Sequence, residues 1–123
     1  MKTMLFSDRM RQVFTPGPTG FIGAVDQLID VAKDWDLRLD WFDIEKGLCR
    51  IEASRGGEIH ETFETVLDKG VFRAMLSRLA ALCGNSVSPY GGEGTFIAGE
   101  LVTLTISLMN TKVDHWATIH VER

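Results

Sequence analysis

The chain has 123 residues, of which 45% are apolar and 24% charged, and its net charge at neutral pH is −4. This composition is ordinary for a globular protein and predicts a single domain over residues 1–123. The negative balance and the scattered lysines and arginines argue against nucleic acid as a partner. No apolar run is long enough to cross a bilayer, so no membrane partner is expected either.

The cysteines and the first residues of the chain indicate a compartment. Cys49 and Cys83 are the two cysteines and lie far apart in the sequence. A disulfide framework is therefore not expected, and we expect a reducing environment. The apolar run of residues 4–6 is interrupted by Asp8 and Arg9 and is too short for a signal peptide. We therefore predict a cytoplasmic protein.

The amino-terminal segment carries apolar side chains at even positions, namely Met4, Phe6, Met10 and Phe14. This alternation predicts a strand, or a pair of short strands, that ends at Pro16. After a turn over residues 15–20, the apolar residues follow helical spacing. That spacing predicts an amphipathic helix over residues 20–34 with Thr19 as its N-cap. The polar face of this helix is rich in aspartate.

Three strands are predicted next, joined by turns at residues 45–47 and 55–57. Three-residue turns place on one face Leu39, Trp41, Asp43, Cys49, Ile51, Ala53, Ile59, Glu61 and Phe63. A two-residue first turn would instead bring Phe42 and Ile44 to that face. Residues 58–67 also fit the period of a helix, although their threonines and the glycines before them favour a strand.

The second predicted helix follows Asp68, its expected N-cap, and ends at Gly84-Asn85. Its buried stripe is expected to contain Val71, Phe72, Met75, Leu76, Leu79 and Leu82. The glycine-rich segment over residues 86–94 is typical of a mobile loop, and a short strand is predicted over residues 95–98.

The last stretch, residues 101–123, alternates apolar and polar residues twice and predicts a β-hairpin. An even-length turn around Asn110-Thr111 sets even residues of its first strand opposite odd residues of its second, which aligns the two apolar faces. The buried face is then expected to contain Val102, Leu104, Ile106, Leu108, Val113, His115, Ala117, Ile119 and Val121.

Together these elements predict an α+β domain in which two helices pack on a largely antiparallel sheet. The order strand, helix, strand, strand is expected twice, over residues 2–54 and 58–122. This doubled order resembles that of bacterial drug-binding effector domains. The resemblance implies a cationic ligand held in an acidic, aromatic cleft between two such units.

One carboxylate, Glu61, falls on the expected apolar face of the three-stranded segment. A lone buried carboxylate is costly unless it is paired, protonated or faces a cavity. Asp43 and Trp41 share its face, Tyr90 lies in the glycine-rich loop, and His115 lies on the apolar face of the hairpin. Carboxylates and aromatic rings suit a cationic or aromatic organic ligand. We therefore predict a non-catalytic small-molecule-binding domain without a cofactor.

A metal site is not expected. Residues 60–64 read His-Glu-Thr-Phe-Glu, in which a glutamate replaces the second histidine of the zinc motif that this segment approaches. His115 and His120 lie an odd number of residues apart on one strand, so they point to opposite faces and cannot hold one ion from that strand alone.

Two other functions compete with ligand binding. The negative charge and the aspartate-rich helix suit an acidic protein-interaction module of the inhibitor or immunity type. A small acid–base enzyme would use Glu61 or Asp43 together with His115. Under each function a homodimer is expected, with Trp116 and His120, on the polar face of the hairpin, in its interface.

Overall fold

The structure is a computed structural model that describes residues 6–14, 20–84, 90–98 and 102–122. In chain order its elements are α1 (Phe6–Val13), α2 (Gly20–Ala32), β1 (Asp36–Phe42), β2 (Leu48–Arg55), β3 (Glu58–Val66), α3 (Lys69–Leu82), β4 (Gly91–Ala98), β5 (Val102–Asn110) and β6 (His115–Glu122). These helices and strands confirm the α+β class. None of the three described helices is long and apolar enough to cross a membrane.

All six strands form one antiparallel sheet in the order β3-β2-β1-β6-β5-β4. The strands β1 and β6 lie at its centre, and β3 and β4 form its edges. Buried residues from the three helices and from alternate strand positions make up one core cluster. The remaining strand positions are mostly half-buried or exposed, so among the described elements the helices cover only one face of the sheet.

Residues 6–13 are helical, so the strand predicted over this part of the amino-terminal segment is wrong; residues 1–5 lie outside the described residues. Its buried residues are Phe6, Met10 and Val13, which are spaced by four and then three residues as on one face of a helix. A four-residue spacing also falls on even positions, and this coincidence makes the segment resemble a strand. The described part of the chain thus has three helices, and it does not confirm the expected strand-helix-strand-strand repeat. The turn at residues 15–19, including Thr19, lies outside the described residues.

The register predicted for β1 and β2 is confirmed. Leu39 pairs with Ile51 and Trp41 pairs with Cys49, so these four side chains share the face that the helices cover. The connection between the two strands has five residues, which preserves the parity of the expected three-residue turn. Asp43 belongs to this connection and is exposed, so its predicted place on the apolar face is wrong.

The segment after the second turn is a strand, as predicted, and part of its register differs. Glu61 lies opposite Ala53 on the covered face, as expected. A bulge between Ala53 and Ser54 then shifts the pairing, so that Ile59 lies opposite Ser54 on the other face and is 61% exposed. The prediction that Ile59 is buried is therefore wrong, because a bulge reverses the side-chain alternation on one side of it.

The helix α3 begins as predicted. The side chain of Asp68 accepts a hydrogen bond from the backbone N–H of Gly70 at 2.9 Å, and the helix ends at Leu82. Its fully buried stripe contains Phe72, Met75, Leu76 and Leu79. Val71 is 39% exposed, so its predicted place in that stripe is wrong.

The N-cap at Asp68 gives a testable consequence. We expect Asp68→Ala to lower the free energy of unfolding by about 1 kcal/mol, because an N–H group in the first turn of α3 loses its acceptor. Asp68→Asn retains an acceptor oxygen and should stay close to the wild type. Urea denaturation of the three proteins would contradict the assignment if the alanine and asparagine variants were equally destabilised.

The register of the predicted hairpin is confirmed. Even residues of β5 pair with odd residues of β6, as in Ile106 opposite Ile119. Val113 lies in the turn and is exposed, so the prediction of its burial is wrong. The strand β4 begins at Gly91, which contradicts the loop predicted over residues 91–94; residues 86–89 are not described.

Candidate functional site

The structure brings two of the predicted ligand-binding residues together, Trp41 and His115. Their ring centroids are 5.9 Å apart in an edge arrangement. The indole Nε1 of Trp41 donates a hydrogen bond to the carbonyl of Leu67 at 2.8 Å. Gly47 has a φ of +103°, and a Cβ there would lie 2.7 Å from the indole, so this glycine is required for the close approach. These contacts fix the orientation of Trp41.

His115 is buried, and its Nδ1 has no hydrogen-bond partner among the described residues. Burial lowers the pKa of His115, and the positive charge of Lys69 lowers it further, with a smaller effect in the same direction from Arg73. A hydrogen bond to the backbone of Thr111 and the charge of Asp114 act in the opposite direction. The lowering effects prevail, so the pKa of His115 lies below its ordinary value.

The lowered pKa of His115 predicts a dependence of stability on pH. The unfolded chain binds the proton more readily than the folded protein, so the free energy of unfolding should fall as the pH drops below about 6.5. We expect this part of the loss to disappear in His115→Gln. Urea denaturation across that pH range tests it, and parallel pH profiles for the two proteins would contradict it.

A second buried polar residue, Asn110, was missed by the sequence reasoning, which placed it in the turn. Its side-chain oxygen accepts a hydrogen bond from Arg73 Nε at 2.9 Å, and its Nδ2 donates to the Arg73 carbonyl at 3.3 Å and to Ser77 Oγ at 3.2 Å. The network joins β5 to α3. Its burial could have been predicted from the alternation in β5, because Asn110 occupies the next even-numbered position after the buried apolar residues.

The other predicted site residues lie elsewhere. Glu61 is three strands across the sheet and four residues along it from His115, a separation of roughly 19 Å. Tyr90 is exposed at the beginning of β4 and lies beyond β6 and β5 as seen from Trp41. Asp43 is exposed in the turn after β1. The structure therefore does not gather Glu61, Tyr90 and Asp43 around the Trp41–His115 pair.

A broader feature is the face of the sheet opposite the helices. We call it the open face and define it as the even-numbered residues of β1, β2 and β6, the odd-numbered residues of β4 and β5, and Ile59, Thr62, Glu64 and Val66 of β3. The predicted interface residues Trp116 and His120 both belong to it. The structure thus places these two residues on a surface that spans six strands.

Negative charge is concentrated on the open face. Its carboxylates are those of Asp36, Asp40, Glu52, Glu64, Glu93 and Glu122. Only two arginines, Arg38 and Arg50, accompany them on the described strands. With His120 neutral, this single face therefore carries an excess of four carboxylates, which equals the net charge of the whole chain.

Two of these carboxylates are matched by guanidinium groups. Arg38 binds Asp40 through two hydrogen bonds of 2.9 and 3.1 Å, and Arg50 lies 2.9 Å from Glu64. The sequence reasoning missed both pairs. Arg38 and Asp40 lie two residues apart on β1, and Arg50 lies opposite Glu64 on the neighbouring strand. The second pair could be recognised only once the register of β2 and β3 was known.

Three of the other four carboxylates contact groups other than arginine. Asp36 accepts a hydrogen bond from the Val121 N–H at 3.0 Å and lies 2.9 Å from His120 Nδ1. Glu93 accepts one from Ser107 Oγ at 3.0 Å, and Glu122 accepts one from Thr105 Oγ1 at 2.8 Å. Hydroxyl groups do not neutralise a carboxylate, so Glu93 and Glu122 remain available to a cationic partner.

Aromatic rings lie among these charges. The guanidinium of Arg38 is 5.3 Å from the centre of the Trp116 ring, and that of Arg50 is 4.8 Å from the centre of the Phe42 ring. Both rings are half-buried, and Met109 lies opposite Trp116 on β5. Aromatic faces attract cations, and most strongly where carboxylates lie nearby.

A depression of about 330 Å³ lies on the open face, at the end of the strands where β1 begins. Its polar lining includes Asp36, Glu52, His120 and Arg38. A depression of this size, with Asp36 and Glu52 in its lining, is large enough for the end of a lysine or arginine side chain. The residues of the open face are therefore suited to bind cations by ion pairing and by contact with aromatic rings.

The zinc-like segment does not form a ligand cluster. His60 contacts Trp35, with ring centroids 5.1 Å apart, while Glu64 binds Arg50 on the open face. Within the described ranges, no group of three or more histidine, cysteine, aspartate or glutamate side chains is arranged to hold a metal ion.

In comparisons with known proteins, no family model matches the chain and no curated protein matches its sequence significantly. Its function is therefore inferred from its own geometry.

Proposed function

We propose that this chain is an acidic, non-catalytic protein-interaction module whose open face binds a basic polypeptide. The observation that supports it most directly is the excess of carboxylates on a sheet face that no described helix covers, with Trp116 and Phe42 among them. The partner would present lysine and arginine side chains to this face. Complementary charge of this kind raises association rates and selects among partners.

The same charge argues against a second copy of the chain as the occupant of the open face. Two identical open faces would bring carboxylates against carboxylates, and such like-charge contacts are unfavourable. A basic protein or an extended basic segment instead meets opposite charge. The half-buried Trp116 and Met109 would supply apolar contact at the centre of the interface, as aromatic residues and methionine commonly do.

A small cationic ligand held by Glu61, Trp41, Asp43 and Tyr90 stays a prediction, and the geometry favours it less. Glu61 lies two strands across the sheet and four residues along it from Trp41, a separation of roughly 16 Å, so one small ligand does not contact both. If such a site exists, a cationic aromatic compound will raise the melting temperature and Glu61→Gln will remove the rise.

An acid–base enzyme that uses Glu61 with His115 is also disfavoured by geometry. One small substrate does not span the roughly 19 Å between the two groups. Asp43 is nearer to His115 in the sheet, but it is exposed in a turn. A protein-interaction function requires no such convergence of side chains.

The proposed function is tested by removing charge from the open face. An oligoarginine peptide serves as the probe, and its dissociation constant is measured by fluorescence anisotropy. We expect Glu52→Gln with Glu122→Gln to weaken binding about tenfold, which corresponds to roughly 0.7 kcal/mol per charge. Raising the salt concentration should reduce the difference between this variant and the wild type.

The matched control removes the same charge elsewhere. Asp26 and Asp30 lie on α2 with side chains 59% and 69% exposed, so Asp26→Asn with Asp30→Asn changes the net charge equally. We expect this variant to bind the peptide like the wild type. Equal weakening of both variants would show that total charge, and not the open face, governs binding.

We further propose the cytoplasm as the compartment of this module. The thiol of Cys49 is buried and forms no disulfide among the described residues, which supports a reducing environment. Burial, reinforced by the nearby charge of Asp40, raises the pKa of Cys49 to about 12. That thiol is therefore protonated and unreactive at neutral pH.

A further inference from the structure

The two edges of the sheet differ in how well they are protected. The edge strand β3 contains a bulge opposite Ala53 and Ser54 and carries three glutamates, and α1 packs beside it. Bulges, charged side chains and covering elements all discourage pairing with another strand. Among the described elements, the edge strand β4 is less protected, although α3 packs beside it. It pairs regularly with β5 over eight residues, and Glu93 is its single charged residue.

The direction of the free backbone groups of β4 follows from one hydrogen bond. The N–H of Asn110 donates to the carbonyl of Tyr90 at 2.8 Å, so these residues form a hydrogen-bonded pair across the two strands. Since such pairs alternate in an antiparallel ladder, the even-numbered residues of β4 direct their backbone groups toward β5. Glu93, Thr95 and Ile97 direct theirs outward, where no described strand pairs with them.

We propose that β4 pairs antiparallel with β4 of a second copy of this chain, with Thr95 opposite its symmetry mate. In this register Glu93 faces Ile97 of the other copy, so no like charges oppose each other. Phe96 lies across from Gly94, and an aromatic ring beside a cross-strand glycine stabilises a sheet. The pairing joins two six-stranded sheets into one.

Other registers that satisfy the hydrogen bonds are poorer. Centring the pairing on Glu93 sets two carboxylates directly opposite each other, which is destabilising. Centring it on Gly94 sets two glycines opposite each other at the symmetry axis, where they offer no side chains to pack. Centring it on Phe96 shortens the described overlap to residues 94–98.

The partner strand at the β4 edge is that of a second copy, because two β4 strands paired in this way form a closed two-fold dimer. A two-fold antiparallel pair of β4 strands leaves only the two β3 strands as edges, and these are protected, so assembly stops at the dimer. The single charge of each β4 strand meets an apolar side chain, in contrast to the carboxylates that would meet across two open faces. The interface lies along the β4 edge of the open face, away from the part of that face formed by β1, β2 and β6.

The dimer is tested by sedimentation velocity over a range of protein concentrations. Ile97 is 68% exposed, so substitutions there should leave the fold intact, which circular dichroism verifies. We expect the wild type to dimerise. Ile97→Glu should weaken the dimer roughly tenfold, because a carboxylate then faces Glu93 at two symmetry-related places. Ile97→Lys should not weaken it, since the lysine faces Glu93 with opposite charge.

The matched control is Ile59→Glu. Ile59 is an isoleucine of comparable exposure, 61%, on the opposite edge strand, and its substitution should leave the dimer unchanged. Glu93→Lys combined with Ile97→Glu should restore the wild-type dissociation constant. A wild type that is monomeric at every concentration overturns the proposal. So does a dimer that Ile97→Glu leaves intact, and equal weakening by Ile97→Glu and Ile97→Lys overturns the register.

Discussion

Phe72→Ala is expected to lower the free energy of unfolding by about 3–5 kcal/mol, the usual cost of truncating a buried phenylalanine to alanine. Phe72 is fully buried on α3 in the core cluster. The loss combines the transfer of apolar surface with the cavity left behind. Because domains of this kind have only about 5–15 kcal/mol of stability, the variant should unfold at markedly lower urea concentration.

Val71→Ala provides the comparison for this result. Val71 is adjacent in sequence and belongs to the same helix, but it is 39% exposed. We expect its truncation to cost less than about 1 kcal/mol, as for most partly exposed sites. Equal losses in the two variants would mean that α3 presents a different face to the sheet.

Trp116→Ala should produce the largest effect on binding. A tryptophan at the centre of an interface commonly contributes about 2 kcal/mol or more, and we expect the affinity for the oligoarginine peptide to fall roughly 30-fold. Trp116 is half-buried on the open face beside Arg38. Its loss removes a large aromatic surface from the open face, next to the cross-strand partner Met109.

Trp35→Ala is the matched control for Trp116→Ala. Trp35 also lies under an arginine, with the Arg55 guanidinium 4.0 Å from its ring centre, but it precedes β1 and lies outside the open face. We expect this variant to bind the peptide like the wild type once both proteins are shown to be folded. Similar losses of affinity in the two variants would remove the argument for the open face.

Local alternation was sufficient to predict the carboxy-terminal hairpin and its register. Both strands alternate without interruption, so only one parity buries both apolar faces. The amino-terminal segment gave no such restriction, since Phe6 and Met10 fit a strand and a helix equally well. The bulge near Ile59 was not predictable because nothing in the local sequence marks it. The strand at residues 91–94 depends on pairing with β5, which overrides the low strand propensity of its glycines.

The open face was predictable only in part. Trp116 was singled out because a large apolar residue on a polar strand face is unusual. Glu52 and Asp36 attracted no attention, because a carboxylate at a solvent-facing strand position is ordinary. They can be recognised as parts of one acidic surface only when the order of the strands places them beside each other. Tyr90 and Glu61 show the converse: their residue types suit a cationic ligand, but the sheet separates them.

The binding of a basic polypeptide to the open face is tested most directly by amide chemical-shift mapping of the isotopically labelled protein, titrated with the oligoarginine peptide. We predict that the amides that shift will cluster on β1, β2 and β6 around Trp116, Asp36 and Glu52, while those of α1, α2 and α3 remain in place. Shifts concentrated around Trp41 and His115, or along the helices, would contradict the proposed function.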